Sequence, residues 1–600
     1  MRLALLAGVC LLLLLPVGCS RPSNSASAQQ PDATAAYDHA VDEFFDAYFR
    51  FNPTQGTAAG FHQYDTQLED YSQKSIQSQA ASAHQYVDRF EKIDPARLDQ
   101  QRRLDRELLL SSLNATLLEL ATIRNWERNP DHYSSGITMS AFSIMARTFA
   151  SQDVRLRSLI NREEQMPAVF LAARANLKNP PKVYTQIAIE QLPGIVSFFR
   201  SDVPLAFRQV TDPKLLADFN RANNTVIQSL KDYEAFLKTN MLPQSTGDFR
   251  LGAENYRKKL LYEEMVDTPL DRLLAIGYAD LRHNQQWFAD TAKQIDPAKT
   301  PRQLLDSIEL DHPSGAQLLG SFRNTLEGLR TFIQQHNIAT IPSPVLPIIE
   351  ETPPFMRALT TASMDTPGPY ESVAKEAFFN VTLPESSWPR TKVESWLRGF
   401  YREEITNIAV HEAYPGHYTQ FLWVPRAPSK VRKLIGSNSN AEGWAHYSEQ
   451  MMVDEGYGRT SSAAAPSGET APSAISRDIP FLKLRIGQLQ DALLRNVRFI
   501  CGIEMHTRSM TVEQCTQMFE KEAYQPHAVA EREALRGTSD PTYLVYTLGK
   551  LAILKLRDDY KALRGRDFSL QEFHDAFLRQ GFPPIRIIRE TMLGKPGDIL

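Results

Sequence analysis

The strongest chemical signal in the sequence is a histidine–glutamate pair followed by a second histidine, in the segment IAVHEAYPGHYTQ. The pair is His411 and Glu412, and the second histidine is His417. In many zinc hydrolases two imidazoles bind the metal through nitrogen, and a neighbouring carboxylate accepts a proton from the metal-activated water. We therefore expect His411 and His417 to be metal ligands and Glu412 to be the general base.

The spacing of the two histidines departs from the usual pattern, in which they stand at positions i and i+4 on one helix face. His411 and His417 are six residues apart, and at ~100° per residue a regular helix would place them roughly 120° apart around its axis. Pro415 and Gly416 stand between them. Because proline removes a backbone donor and glycine adds backbone freedom, we predict a widened or unwound turn that brings His417 back towards His411.

A third ligand is predicted in the segment NAEGWAHYSEQ. A catalytic zinc ion needs a third protein ligand and one open position, and Glu442 follows His417 by 25 residues. His446 and Glu449 stand at i+4 and i+7 from Glu442, on nearly the same face of a predicted helix. Two interpretations of this second pair stay open. They either orient a ligand from behind or are ordinary polar residues on a helix face.

The strings HEAYPGHYTQ and EGWAHYSEQ resemble the two signatures of the bacterial domain-of-unknown-function family eight hundred and eighty-five. Further similar segments are FFDAYFRFNPTQGTAAGFHQYD, TPGPYE and EREALRGTSDPTYLVYTLGKL, so the resemblance covers most of the chain after residue 36. It implies a mainly helical relative of the gluzincin zinc metallopeptidases, often made as a lipoprotein, with a deep cleft over the metal. It also implies the same three ligands and the same catalytic carboxylate. His446 departs from the family pattern, in which apolar residues are commoner.

Two later residues are candidates to complete such a site. Negative charge that develops on a substrate carbonyl needs a donor besides the metal, commonly a tyrosine or a histidine. Tyr546 is the first candidate for this catalytic role and His506 is the second. The alternative for both is a structural role, because tyrosine and histidine are often half-buried with their polar atoms satisfied.

A possible substrate-binding pair lies in the same C-terminal segment. Arg536 would bind a substrate carboxylate through two parallel N–H groups, with Tyr543 close by in the sequence. The alternative is that Arg536 has a partner within the protein, for which Glu531 and Glu533 are the candidates.

The elements that must position these residues are mostly helices. Strand-like segments are scarce, the candidates being 339–351 and 376–382, where β-branched and aromatic residues stand between Pro and Gly. We predict a mainly α protein with a deep cleft and a small β element. The hydrolase domain covers residues 37–600, and a division into two lobes near 340–400 stays open. Amphipathic periodicity covers residues 153–178, 215–240, 269–295, 315–336, 479–507 and 543–563.

Two segments are predicted to lie outside this packed structure. Residues 20–36 are rich in Ser, Ala, Pro and Gln and are predicted to be a flexible tether. Residues 459–476 are of low complexity and stand between two helical runs, so a long surface loop is predicted there. An insertion without function is favoured over a lid above the cleft.

The first 19 residues have the pattern of an export signal, in which Arg2 precedes an apolar run too short for a comfortable membrane span. The segment LPVGC at its end resembles a bacterial lipoprotein processing site, which implies a lipid on Cys19 at the mature N-terminus. Cleavage to a soluble periplasmic protein is the alternative. Ser20 is typical of sorting to the outer membrane in such proteins, so we expect an anchored protein on its periplasmic face.

Composition restricts the remaining classes of function. The 66 basic and 70 acidic side chains give a net charge of −4, and no basic run is interleaved with aromatic residues, so nucleic-acid binding is not expected. Cys501 and Cys515 are the cysteines that follow Cys19. Their spacing does not fit a metal site, and we predict two unpaired, partly buried thiols.

Together these observations predict a zinc-dependent hydrolase, with a peptidase that cleaves short peptides as the leading hypothesis. A zinc amidase or esterase with another substrate is the first alternative, and a metal-binding envelope lipoprotein without activity is the second. Glu412 argues against the second alternative, because a purely structural zinc site has no use for a base. Manganese or cobalt would fit similar ligands, but two imidazoles and one carboxylate favour zinc.

Overall fold

The structure is a computed structural model that describes residues 33–353, 356–357, 360–459 and 478–600. The predicted signal sequence, the lipidation site Cys19 and the predicted loop beyond Arg459 lie outside these residues. The predicted tether overlaps the described chain at residues 33–36, where the prediction is wrong. These four residues are helical, and Ala33 and Tyr37 are buried on the inner face of the first helix.

The described chain is mainly helical, which confirms the predicted fold class. None of its helices is long and apolar enough to cross a membrane. In chain order the α-helices are α1 Ala33–Phe51, α2 Pro53–Ala59, α3 Gln73–Glu91, α4 Gln100–Leu117, α5 Asn125–Arg128, α6 Asp131–Met145, α7 Gln152–Asn176, α8 Lys182–Ser197, α9 Val203–Ala206, α10 Pro213–Phe236, α11 Ala253–Glu264, α12 Leu270–Ile295, α13 Pro301–Ile308, α14 Gly315–Gln335, α15 Arg390–Arg398, α16 Arg402–Glu412, α17 His417–Trp423, α18 Lys430–Leu434, α19 Asn438–Asp454, α20 Ile479–Thr507, α21 Val512–Glu522, α22 His527–Ser539, α23 Val545–Arg564, α24 Leu570–Leu578 and α25 Ile585–Leu593.

Each of the six amphipathic runs found in the sequence forms a helix, namely α7, α10, α12, α14, α20 and α23. Helix α14 illustrates the reason. Its buried residues recur at helical spacing along one side of the helix, so that a single stripe faces the core. They are Leu318, Phe322, Leu326, Leu329 and Ile333.

The β element is a three-stranded sheet made of β1 Ile348–Glu351, β2 Ala362–Asp365 and β3 Phe378–Val381. Strand β3 is central, pairing in parallel with β1 and antiparallel with β2. Strands β1 and β3 lie within the two predicted strand segments. The sequence did not predict β2, which is only four residues long and has no clear alternation of buried and exposed residues.

The helices that carry His411, His417, Glu442 and Tyr546 share an apolar core with the sheet. One apolar cluster joins α14, the sheet, α16, α17, α19 and α23 to α25, and a second joins α11 to α13 with α20 to α22. Cys501 and Cys515 lie in this second cluster as unpaired thiols, and both are fully buried. The deep cleft and the division into two lobes stay predictions.

Two glycines allow α19 and α23 to cross at unusually close range. A Cβ atom at Gly549 would lie 1.8 Å from the carbonyl oxygen of Ser439, and one at Gly443 would lie 2.4 Å from the Cα atom of Gly549. Because no side chain fits at this crossing, glycine is required at both positions. Gly443 directly follows Glu442, so the crossing fixes the depth of a predicted ligand relative to α23.

The start of α19 is held by a carboxylate from another helix. Glu264, the last residue of α11, accepts hydrogen bonds from the backbone N–H groups of Asn438 and Ser439 at 3.2 and 2.9 Å. Such groups lack partners within the helix and favour a negative charge. Burial nevertheless raises the pKa of Glu264 to about 7, which makes this contact sensitive to pH.

Candidate metal centre

The first two predicted ligands stand on either side of a break between two helices. Helix α16 ends with His411 and Glu412, and α17 begins at His417. The residues between them form a turn in which the Tyr414–Pro415 peptide bond is cis. The predicted unwinding therefore takes the form of a complete break, and not of a bulge inside one helix.

Close packing of the backbone requires glycine at position 416. The N–H of Gly416 donates to the carbonyl of Val410 at 3.0 Å, and a Cβ atom on Gly416 would lie 1.9 Å from the carbonyl oxygen of His411. The break is also held from a second helix, because Trp444 Nε1 donates to the carbonyl of Pro415 at 2.8 Å. The tryptophan of the segment EGWA thus positions the turn of the segment HEAYPGH.

The three predicted ligands converge on one point. His411, His417 and Glu442 each offer one ligand atom, and these atoms all lie within 4.8 Å of one another. Oε2 of Glu442 is 3.4 Å from Nε2 of His411 and 3.5 Å from Nε2 of His417. Within the described residues, this is the one such group of three or more His, Cys, Asp or Glu side chains.

The donor chemistry of this cluster fits a zinc ion. Two imidazole nitrogens and one carboxylate oxygen form a ligand set of catalytic zinc sites, which keep a further position open. Oε2 of Glu442 is buried and makes no hydrogen bond of good geometry, although both imidazoles are near. A buried oxygen without a partner is costly, and a cation would satisfy it. The Glu442 side chain is 27% exposed and those of the histidines 10%, so the cluster opens to solvent beside Glu442.

Glu449 holds His411 from the side that faces away from the cluster. Its Oε1 accepts a hydrogen bond from Nδ1 of His411 at 2.6 Å and lies 3.0 Å from Nη2 of Arg495. Its Oε2 accepts from Nδ1 of His446 at 2.9 Å. With the proton on Nδ1, the lone pair on Nε2 of His411 points towards the cluster. A carboxylate in this position orients a ligand imidazole and increases its basicity.

The groups around Glu449 offset the effect of burial on the pKa of its carboxyl group. Burial alone would raise the pKa of Glu449, but Arg495 and His446 hold it well below its ordinary range. Burial lowers the pKa of His446 to about 3, so this imidazole is neutral at pH 7. Arg495 continues the network to Asp491, 3.2 Å from its Nη1, and Asp491 also accepts a hydrogen bond from Asn407.

Sequence reasoning missed Arg495 and Asp491. A signal was present, because these opposite charges stand four residues apart on α20, whose neighbouring positions are largely apolar. An acid and a base at this spacing are common on exposed helix faces, however, and the spacing does not show that the pair is buried beside a metal ligand.

Glu412, the predicted general base, is the last residue of α16 and directly follows a ligand. Burial raises its pKa above the ordinary value, His411 and His417 oppose that shift, and Glu442 adds to it. The Glu412 carboxylate is therefore within electrostatic reach of all three predicted ligands.

Tyr546 lies beside the cluster, as the sequence suggested for a catalytic donor. Its ring is nearly parallel to that of His411, with centroids 6.5 Å apart. Three guanidinium groups surround this ring, those of Arg498, Arg495 and Arg536 at 4.9, 5.6 and 5.9 Å from its centre. The hydroxyl accepts a hydrogen bond from Nη2 of Arg536 at 3.3 Å, which leaves the hydroxyl proton available for donation.

The profile of a bacterial protein family of unknown function, DUF885, matches residues 53–592. The chain belongs to this family. A candidate lipoprotein of unknown function from Shewanella oneidensis is 26% identical, with a TM-score of 0.75 over 93% of this chain and 99% of that one. A candidate lipoprotein from Colwellia psychrerythraea, 17% identical, has the same fold, with a TM-score of 0.75 over 94% and 99%. No curated protein matches the chain significantly. The predicted family is confirmed, and kinship with the gluzincins stays a prediction.

The DUF885 segment EGWA has a separate structural task for each of its first three residues. Glu442 presents a ligand atom to the cluster. Gly443 permits the close crossing with α23, and Trp444 binds the turn before His417. The motif therefore joins one ligand to the backbone that positions another.

Two residues that the sequence suggested for the site lie elsewhere in this DUF885 chain. His506 follows Arg495 by eleven residues on α20, about 16 Å further along the helix axis. Its Nε2 lies 2.7 Å from the carbonyl of Gly537, and the side chain is buried. Tyr543 is fully buried against Gly502 and Gly537. We therefore correct both predictions, because these side chains belong to the core and neither faces the metal cluster.

Arg536 has a partner within the protein, but it is neither of the two glutamates considered from the sequence. Nε and Nη2 of Arg536 both donate to Oδ2 of Asp540, at 3.2 and 3.0 Å. Glu533 instead binds Arg498 through both of its oxygens, at 2.7 and 2.9 Å. Arg536 keeps 39% of its side chain exposed, so it remains accessible beside Tyr546.

Proposed function

We propose that this DUF885 protein is a zinc-dependent hydrolase that cleaves peptide bonds in short peptides. The observation that carries the proposal is the convergence of His411, His417 and Glu442 within 4.8 Å, with Glu412 directly after the first ligand. The opening beside Glu442 favours a catalytic site over a structural one, because structural zinc sites use four protein ligands and are closed.

The residues of the chain divide the proposed reaction among them. When bound by the three ligands, zinc would polarise the substrate carbonyl and lower the pKa of a water molecule. Glu412 accepts the proton of the attacking water and passes it to the leaving amine. Glu449 keeps His411 in the tautomer and orientation that ligation needs. The Tyr546 hydroxyl donates a hydrogen bond to the substrate oxygen on which negative charge develops.

The alternative substrate class is a non-peptide amide or ester, since the same residues would act on any activated carbonyl. The proposed location is the cell envelope, with a lipid on Cys19 as the anchor. Two structural relatives described as candidate lipoproteins support this location, as does the export-signal pattern before Cys19.

Metal analysis of the purified protein, before and after treatment with a chelator, tests the site. We expect one zinc ion per chain, and its absence from protein supplied with zinc would refute the proposal. Stoichiometric manganese or cobalt in place of zinc would correct the metal and leave the ligand set standing.

Digestion of a diverse peptide mixture then tests the reaction. We expect cleavage by the wild type, none by Glu412→Gln, and wild-type cleavage by Glu455→Gln, in which an exposed glutamate at the end of α19 is replaced. If the zinc-loaded wild type cuts no peptide, the peptidase assignment is wrong and small amides and esters are tested next. Zinc content must be equal in the three proteins, so that loss of the base is separated from loss of metal.

A further inference from the structure

Arg536 differs from the other two arginines around Tyr546 because it keeps donors for a ligand. Arg495 lies between Glu449 and Asp491, and Arg498 is held through two hydrogen bonds by Glu533. Their side chains are only 9% and 11% exposed.

The Nε and Nη2 donors of Arg536 have acceptors within the described chain, whereas its Nη1 donors do not. Nε and Nη2 both donate to the same oxygen of Asp540, and Nη2 also donates to the hydroxyl of Tyr546. The two N–H groups on Nη1 have no acceptor among the described residues. A guanidinium with exposed, uncommitted N–H groups is well suited to bind a carboxylate.

We propose that Arg536 binds the C-terminal carboxylate of the substrate, so that the enzyme releases short fragments from the C-terminal ends of peptides. This inference rests on the proposed peptidase function and names its substrate class. Asp540 fixes the guanidinium through two donors and leaves Nη1 for the substrate. The contact with Tyr546 places this anchor beside a tyrosine whose ring lies nearly parallel to that of His411.

The dimensions of the site limit the length of the released fragment. The guanidinium carbon of Arg536 is 5.9 Å from the centre of the Tyr546 ring, and that centre is 6.5 Å from the centre of the His411 ring. An extended peptide advances about 3.3–3.6 Å per residue. A carboxylate at Arg536 therefore lies no more than about three residues beyond the bond that is cut, so the products are single amino acids, dipeptides or tripeptides.

A pair of N-acetylated hexapeptides, identical except for a free C-terminal carboxylate or a C-terminal amide, tests this inference. We expect wild type to cleave the acid about ten- to hundred-fold more efficiently than the amide, mainly through a lower KM, because a charge-assisted hydrogen bond has about that effect. Arg536→Ala removes the preference, so that the acid and the amide are cleaved with equal kcat/KM. Because Arg536 also donates to the Tyr546 hydroxyl, the ratio of the two values is the readout, and any effect of the substitution on that hydroxyl changes both values alike. Arg536→Lys keeps part of the preference.

Arg564→Ala is the matched control. Arg564 is 41% exposed and pairs with one carboxylate, Glu572, at 2.9 Å, much as Arg536 pairs with Asp540. It lies 18 residues beyond Tyr546 on α23, about 27 Å along the helix. This variant keeps the full preference for the acid. A variant that misfolds would lose its zinc and its cleavage of both peptides, so a wild-type zinc content together with cleavage of the amide reports an intact enzyme.

Binding provides a readout that does not depend on turnover. In the Glu412→Gln background, calorimetry with the same two peptides should give tighter binding of the acid, and Arg536→Ala should abolish the difference. Equal binding of the acid and the amide to Glu412→Gln, or equal cleavage of the two peptides by the wild type, would overturn the inference. If the wild type cleaves both peptides equally, the peptidase function stands and only the role of Arg536 is refuted. If the wild type cleaves neither peptide, the peptidase function itself is refuted.

Discussion

Replacing Glu449 with glutamine should weaken zinc binding while leaving the ligands in place. The carboxylate accepts hydrogen bonds from His411 and His446 at 2.6 and 2.9 Å, and lies 3.0 Å from Arg495. Glutamine has nearly the same shape but only one acceptor oxygen and no charge. The substitution therefore changes the electrostatics behind His411 with little change in packing.

The expected loss follows from the bonds that change. If the amide oxygen takes the place of Oε1, it still accepts from His411 and Arg495, but these bonds are no longer charge-assisted. His446, which is neutral at pH 7 because burial lowers its pKa to about 3, can present Nδ1 as an acceptor to the new NH2 group. Since charge assistance roughly doubles the strength of a hydrogen bond, we expect zinc affinity to fall about ten- to hundred-fold, or about 1.4–2.8 kcal/mol.

Competition with a chromophoric chelator measures this affinity at pH 7. Glu455→Gln removes an exposed carboxylate at the end of the same helix, and it should bind zinc as the wild type does. Circular dichroism of both variants checks that the fold is unchanged. A zinc affinity of Glu449→Gln within about two-fold of the wild type would refute the proposed role of this carboxylate, since even the weak end of the range is about ten-fold.

Three further predictions concern the elements that support the site. Gly549→Ala brings a Cβ atom to 1.8 Å from the Ser439 carbonyl oxygen and should lower the free energy of unfolding, measured by denaturant titration, by about 1–3 kcal/mol. In the control Gly320→Ala the Cβ atom meets nothing within 4 Å, so this variant should be neutral or stabilising. Equal losses in the two variants would contradict the argument that the crossing requires glycine. Trp444→Phe leaves the Pro415 carbonyl without its donor and should weaken zinc binding. The control Trp396→Phe loses a hydrogen bond to the Thr382 carbonyl and should bind zinc as the wild type does. An unchanged zinc affinity in both variants would show that the turn does not need the hydrogen bond from Trp444. Because burial raises the pKa of Glu264 to about 7, the folded protein holds a proton there that the unfolded chain releases near pH 4.5, so its contribution to stability is complete below that pH and is lost as pH rises to about 7. Between pH 4.5 and 7.5 this loss amounts to about 3 kcal/mol in the free energy of unfolding, and Glu264→Gln should remove it from denaturation curves measured at the two pH values. The same dependence of the free energy of unfolding on pH in wild type and variant would contradict the assignment.

The sequence determined the parts of this protein that depend on local spacing and residue chemistry. Apolar periodicity marked α7, α10, α12, α14, α20 and α23, because a helix that packs on a core must bury one stripe. The ligand types were readable because imidazole and carboxylate groups suit zinc wherever they stand in the chain. Pro415 and Gly416 indicated an interruption between the histidines, although the extent of the break was not readable.

Only the tertiary structure decided which distant side chains meet. Arg495 on α20 contacts Glu449 on α19, and Trp444 donates to the carbonyl of Pro415. Arg536 pairs with Asp540, and not with either of the two glutamates that the sequence suggested. Tyr546 and His506 were similar candidates by residue type, but one stacks near His411 and the other is buried about 16 Å beyond Arg495 along α20. Helix crossings such as that at Gly443 and Gly549 set these distances. The rotation and depth of one helix against another depend on packing across the whole core, which residue spacing within a single helix does not encode.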